Sequence, residues 1–112
     1  MVLALLQGYP DFVGKRQIFA GSGNGPASYV TGGDPVTLSN PRLYIDVLMG
    51  GVLSVSGNYV VYVVPSGVGE RQTWKALWFN ATAVHGTVGA QATAASNLAA
   101  EQVQLGGFCG QY

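Results

Sequence analysis

The sequence predicts an all-β fold, an antiparallel β-sandwich or barrel-like domain with short strands, glycine-rich loops and at most one short helical turn. Seventeen glycines among 112 residues are about twice the usual number and leave little room for long helices. Short apolar runs typical of strands recur, with turn residues at intervals of about 8–12 positions. The length suits a single domain over residues 1–112, because domains of about 100–150 residues are the commonest.

The N-terminal third predicts short strands separated by a loop. Residues 1–10 begin with an apolar run. This run is either an extended N-terminal arm, which adds a strand to a neighbour's sheet, or an edge strand of its own domain. Residues 15–19 and 36–39 are strand predictions. Residues 21–26, Gly-Ser-Gly-Asn-Gly-Pro, predict a loop.

The middle of the chain carries the strongest strand pattern. Residues 43–49 are rich in β-forming side chains, and residues 53–56 alternate between apolar and polar. Residues 59–64, Tyr-Val-Val-Tyr-Val-Val, have no polar phase. Such a run predicts a strand with both faces covered, either by a second sheet or by a neighbouring subunit. Residues 66–71 predict the loop of a hairpin that leads into residues 72–79.

The C-terminal part predicts one helical turn followed by a strand. Residues 94–101 contain good helix formers, namely four alanines, a leucine and a glutamate, with Ser-Asn as the N-cap, and they predict a single short turn. Residues 102–105, Gln-Val-Gln-Leu, alternate between polar and apolar. This alternation is typical of a half-buried strand.

Charge is scarce, and this limits the partners that the chain can attract. Charged residues make up 9% of the chain, with five basic and five acidic side chains, whereas about 25% is usual. Because the net charge is zero, we expect neither a nucleic-acid nor a membrane partner. Residues 47–69 are uncharged but hold five glycines and a proline, which excludes a spanning helix. So little charge predicts self-association into a dimer or trimer that hides apolar surface.

The sequence predicts no catalytic, cofactor-binding or metal-binding residues. One histidine and one cysteine cannot build a His/Cys metal cluster, and the five carboxylates are too scattered for a calcium loop. Neither a nucleophile elbow nor a phosphate-binding loop occurs. Cys109 is predicted to be a small buried hydrophobe, and His85 a loop or surface residue.

Two tryptophans lie four residues apart in one predicted strand. Trp74 and Trp78 would therefore point to the same face, about 13 Å apart. Such rings are usually core or subunit-interface anchors. The alternative is a platform on which sugars stack.

Four blocks of sequence, taken in order, resemble a family of small tailed-bacteriophage virion proteins. They are residues 29–39 with Thr-Gly-Gly-Asp, residues 57–65 with Tyr-Val-Val-Tyr, residues 74–79 with Lys-Ala-Leu-Trp, and residues 97–105 with Asn-Leu-Ala-Ala. The blocks cover about a third of the chain. Ala99 stands where the family often has serine. Some similar proteins are head decoration or cement proteins.

The resemblance implies a non-enzymatic all-β protein, made in the host cytoplasm and located on the outer capsid surface of the virion. It would bind the outside of the shell of major capsid protein as a dimer or trimer and stabilise that shell. The alternative is a tail or fibre-associated connector or a carbohydrate-binding adhesin that uses Trp74 and Trp78. The predicted contact residues are apolar: Leu3, Leu5, Tyr59, Val61, Tyr62, Val63, Trp74 and Trp78.

Overall fold

A computed structural model describes residues 1–14, 16–50, 52–67, 73–81 and 88–111. Within these ranges the chain forms ten strands and no helix, which confirms the all-β prediction. The strands are β1 (Val2–Leu5), β2 (Asp11–Val13), β3 (Arg16–Asn24), β4 (Asp34–Leu38), β5 (Leu43–Met49), β6 (Val52–Leu53), β7 (Tyr59–Ser66), β8 (Thr73–Ala81), β9 (Val88–Gln91) and β10 (Gln102–Gln111).

The strands form one sheet that curls into a half-barrel, in the order β5-β10-β3-β1-β4-β8-β7-β6. Strand β2 adds to β3, and β9 adds to β8. We call β2, β3, β5 and β10 the β10 half, and β4, β6, β7, β8 and β9 the β7–β8 half. The described pairs are antiparallel except for β1 with β4, which is parallel. The sheet is therefore mixed rather than purely antiparallel as predicted.

Strand β1 joins the two halves. It lies between β3 and β4, so the prediction of an N-terminal arm or an edge strand is wrong. Leu3 is fully buried. The carbonyl oxygen of Leu3 accepts a hydrogen bond from the Ser39 amide, and Leu5 pairs with Gly21 on the other side. An interior position satisfies backbone groups on both sides of the strand.

Strand β3 is longer than predicted, because residues 21–24 belong to it instead of to a loop. The glycines in this stretch allow the neighbouring strand to approach the β3 backbone closely. A Cβ added at Gly23 would lie 2.9 Å from the carbonyl oxygen of Val2, closer than real Cβ contacts come. Missing side chains in a strand allow another backbone to pass nearby, and here the passing strand is β1.

The predicted hairpin is confirmed. Strands β7 and β8 pair without interruption from Tyr59 with Asn80 to Ser66 with Thr73. Residues 68–71 of the predicted loop and residue 72 of the predicted strand lie outside the described ranges. The strand predicted over residues 53–56 is shorter than expected. It ends at Leu53, and the chain then turns, with the Gly57 amide donating to the carbonyl of Ser54.

Residues 94–101 form turns rather than a helix. The Ser96 amide donates to the carbonyl of Thr93, and the Glu101 amide to that of Leu98. Ala95 has a φ of 66°, which is incompatible with a right-handed helix. Strand β10 follows at once, as predicted, with the alternate side chains of Val103 and Leu105 buried.

The core fills the space between the two halves, and Trp78 and Tyr29 are its largest fully buried side chains. The Tyr59 ring meets the Trp78 ring edge-on, with centroids 6.0 Å apart. The Tyr29 hydroxyl accepts hydrogen bonds from the backbone amide of Trp78 at 3.2 Å and from the side-chain amide of Gln91 at 2.7 Å. A buried polar group is stable only when paired, and this phenol provides the pairing.

Candidate functional site

The predicted contact residues separate into core and surface. Leu3, Val61 and Trp78 each have 0% exposure, so their assignment to a contact surface is wrong, since they have no surface to offer. Trp78 in particular cannot stack on a sugar. Tyr62 differs from them, because 40% of it is exposed.

The other four predicted residues are half-buried. Leu5, Tyr59, Val63 and Trp74 pack against the core. Trp74 lies on the same inward face of β8 as Trp78, as predicted. The two residues are four apart in a strand, and their partners Pro65 and Val61 on β7 are also four apart. These residues belong mainly to the interior, with only part of their surface free.

The outward face of the β7–β8 half is largely apolar, with Lys75 on the same side opposite Val64. Val60 pairs with Phe79, and Tyr62 pairs with Leu77, so these four side chains lie on one side of the sheet. The Tyr62 and Phe79 rings meet edge-on at 5.6 Å. Leu53, opposite Val60 on β6, is 58% exposed. We call this surface the apolar face; it consists of Leu53, Val60, Tyr62, Val64, Leu77 and Phe79.

Most of the apolar face was missed among the predicted site residues. An unbroken apolar run places large side chains on both sides of a strand, and the alternate positions Val60, Tyr62 and Val64 supply one side. The sequence contained this pattern, but it did not show which side would be covered by the rest of the chain. The described residues leave Val60 and Val64 half-buried.

The outward face of β10 has the opposite character. Burial alternates along the strand, with Val103, Leu105 and Cys109 inward. The outward positions are Gln102, Gln104, Gly106, Phe108 and Gly110. This face therefore consists mostly of glutamine side-chain amides and exposed glycine backbone.

An apolar groove of about 640 Å³ lies where β4, β5 and the start of β8 meet. Its lining includes Pro35, Pro41, Leu43, Tyr44 and Trp74. The Trp74 indole nitrogen is buried and has no hydrogen-bond partner among the described residues. Trp74 therefore belongs to this groove, while Trp78 lies in the core, and the two rings form no common platform.

A second cavity, of about 410 Å³, lies in the β10 half, and we call it the polar pocket. Its lining includes Phe12, Arg16, Gln17, Tyr44, Asp46 and Gln111. Nη1 of Arg16 lies 3.4 Å from Oδ2 of Asp46. The same guanidinium stands 5.4 Å from the centroid of the Phe108 ring, close enough for a cation–π contact. Both ends of the ion pair are half exposed or more, so it contributes little to stability.

Cys109 borders the polar pocket as a buried free thiol, which confirms the prediction of a small buried hydrophobe. Desolvation by burial raises the pKa of this thiol, since a buried site disfavours the thiolate. The neutral thiol is a poor nucleophile. The other residue considered for reactivity, His85, lies outside the described ranges.

The described part of the chain contains neither a metal-binding cluster nor a membrane-spanning helix. There, no three His, Cys, Asp or Glu side chains come together in a way that could hold a metal ion. In the same ranges, no helix is long and apolar enough to cross a membrane.

The chain was compared with protein-family models, curated proteins and solved structures, and none of the three gave a match.

Proposed function

We propose that this chain is a non-enzymatic structural protein of a virion, a capsid decoration or cement protein that binds the outside of the major capsid shell and stabilises it. The observation that carries the proposal is the apolar face of the β7–β8 half. The resemblance of the four sequence blocks to small phage virion proteins supplies the class of particle. In this proposal the chain acts on the outer capsid surface as a dimer or trimer.

Tyr62 is the centre of the proposed contact between chains, and the dimer or trimer that this contact builds is the form that attaches to the shell. It lies between the half-buried neighbours Leu77 and Phe79 and retains 40% exposure. Aromatic residues surrounded by apolar neighbours commonly supply most of the binding energy of an interface. Lys75, opposite Val64, is the only charged side chain in the described strands β6, β7 and β8, and the core of an interface is depleted of charged residues.

The size of the apolar face favours attachment at several points. Strands β7 and β8 contribute about five residues each and β6 contributes two; at about 4.8 Å by 3.3 Å per residue, they cover roughly 190 Å². A stable pairwise complex buries about 800 Å² on each partner. The apolar face is therefore the centre of a larger contact, and attachment to a repeating shell strengthens modest contacts through multivalency.

The first test compares two charge insertions at exposed sites. Tyr62→Lys places an ammonium in the apolar face, while Met49→Lys places one on β5, where Met49 is also exposed. In sedimentation at micromolar concentration we expect two or three associated chains for the wild type and for Met49→Lys, and a monomer for Tyr62→Lys. A monomeric wild type would contradict the oligomeric part of the proposal.

The second test concerns the particle. Virions stripped of this protein should lose heat and osmotic resistance, and added wild type or Met49→Lys protein should restore it, whereas Tyr62→Lys protein should not. Stripped particles that keep their resistance would contradict the decoration role.

A tail or fibre-associated connector or adhesin is the second candidate. Because Trp78 is buried in the core, an adhesin could not use the two tryptophans. The polar pocket is the observation that favours this candidate.

A further inference from the structure

We infer that the polar pocket is a binding site for a neutral saccharide. This site lies in the β10 half, away from the apolar face, and the inference does not depend on the proposed capsid role. It rests on the chemistry of the lining, on its charge and on its shape.

The lining combines flat hydrogen-bonding groups with aromatic rings. Arg16 offers a guanidinium, Asp46 a carboxylate, and Gln17 an amide. Neighbouring hydroxyls of a sugar donate and accept hydrogen bonds in pairs, which such flat groups match. Phe12, which is 66% exposed, offers ring surface for the apolar C–H face of a pyranose.

Two amides at the pocket retain hydrogen-bonding capacity. The side chains of Gln17 and Gln111 make no hydrogen bond within the described residues. Gln17 is half-buried, so solvent reaches it only in part. A half-buried amide without a protein partner is well suited to receive a polar ligand.

Charge selects a neutral ligand over an anion. Arg16 and Asp46 cancel each other at 3.4 Å, so the pocket presents no net charge from this pair. An anion would have to displace or repel the Asp46 carboxylate to reach Arg16. A sugar hydroxyl accepts from the guanidinium and donates to the carboxylate without disturbing the pair.

One wall of the polar pocket depends on a glycine of β10. A Cβ added at Gly110 would lie 2.5 Å from the hydroxyl oxygen of Tyr44, so glycine lets the phenol lie over the backbone. The pocket volume of about 410 Å³ falls within the range of about 300–1,000 Å³ that is usual for small-molecule sites.

The test uses an array of neutral and sialylated oligosaccharides, followed by NMR titration of the strongest neutral binder. We expect a neutral glycan to bind, with saturable shifts of the side-chain amide resonances of Gln17 and Gln111. Asp46→Ala and Gln17→Ala should each weaken that binding at least tenfold. Lys75→Ala, in the β7–β8 half, is the matched control and should leave it unchanged.

Three results would overturn the inference. They are an array without any bound glycan, preferential binding of sialylated glycans, and unchanged affinity in the folded Asp46→Ala and Gln17→Ala variants. Thermal denaturation of each variant checks that it is folded, and both substituted residues are at least partly exposed. The Tyr62→Lys variant should bind the glycan as the wild type does, which separates a failure of this inference from a failure of the assembly proposal.

Discussion

The β7–β8 hairpin and the β10–β5 pair differ in the regularity of their pairing. Strands β7 and β8 keep one register from Tyr59 to Ser66, whereas the pairing of β10 with β5 shifts between Phe108 and Cys109. Each half also contains the other kind of pair, since β10 keeps one register with β3 and the pairing of β8 with β9 shifts. The hairpin presents large apolar side chains outward, whereas the β10 half presents amides, glycines and the polar pocket. One continuous sheet thus carries an apolar face at one end and a polar pocket at the other.

Side-chain shape explains the contrast. β-branched and aromatic residues pack well on a pleated surface, and the run in β7 consists of them. Strand β10 contains Gly106, Gly107 and Gly110 instead. Glycines in a strand mark bulges and sharp bends, and the register shift of β10 against β5 lies between Gly107 and Gly110.

The largest expected effect tests whether only the inward face of the hairpin belongs to the core. Trp78→Ala should lower the free energy of unfolding by about 3–5 kcal/mol, because the ring is fully buried. Its neighbour Phe79→Ala, on the outward face, should cost about 1–2 kcal/mol. Urea denaturation in dilute solution measures both. Equal losses would show that the two faces are equally covered and would remove the contrast.

The next effect tests whether the close packing of β10 on β5 requires a glycine. A Cβ added at Gly107 would overlap the carbonyl oxygen of Val47, and overpacking of this kind costs about 1–3 kcal/mol. Gly107→Ala should therefore shift the urea midpoint downward. Gln104→Ala, an exposed change on the same strand, should stay within about 0.5 kcal/mol. A neutral Gly107→Ala would mean that the bulge does not need glycine.

A smaller effect tests the polar contact that supports the hairpin from the core. Tyr29→Phe should cost about 2 kcal/mol, since the backbone amide of Trp78 and the Gln91 amide lose their acceptor and a buried unpaired donor carries a desolvation penalty. Tyr62→Phe is the matched control, because Tyr62 is exposed. Thermal unfolding compares the two variants, and an equal response would refute a structural role for the Tyr29 hydroxyl.

The smallest effect concerns pH and the β10 half. The pKa of Cys109 is raised in the folded state by burial, so the native protein holds the thiol proton more tightly than the unfolded chain does. This contribution to stability is fully present below the ordinary thiol pKa, and it is lost as the pH rises through the folded pKa. Wild type should therefore lose stability above about pH 9 more steeply than Cys109→Ala. Urea midpoints measured across this range check it, and parallel curves would contradict it.

Local patterns predicted those strands whose own side chains are uniformly apolar or alternate between polar and apolar. The run at residues 59–64 and the alternation at residues 102–105 depend on side chains close in sequence, and both strands form. Residues 21–24 were predicted as a loop because glycine usually marks turns. Their strand geometry depends on β1, which a local pattern does not reveal.

The candidate sites show the same limit. Apolar composition alone does not distinguish core from interface, so Leu3 and Val61 were assigned to a surface that they do not reach. The polar pocket brings Arg16 beside Asp46, on strands that β10 separates. Only the register of β10 determines that pairing, and strand register follows from long-range packing.

The strand order also has a consequence for synthesis on the ribosome. The β7–β8 hairpin is contiguous in sequence, whereas Val103 of β10 pairs with Gly23, near the other end of the chain. A hairpin closes in about 1–10 μs, while translation proceeds at about 5–20 residues per second. The nascent chain therefore exposes its apolar hairpin for seconds before β10 emerges. On a polysome, neighbouring ribosomes hold such hairpins close together before either chain is folded.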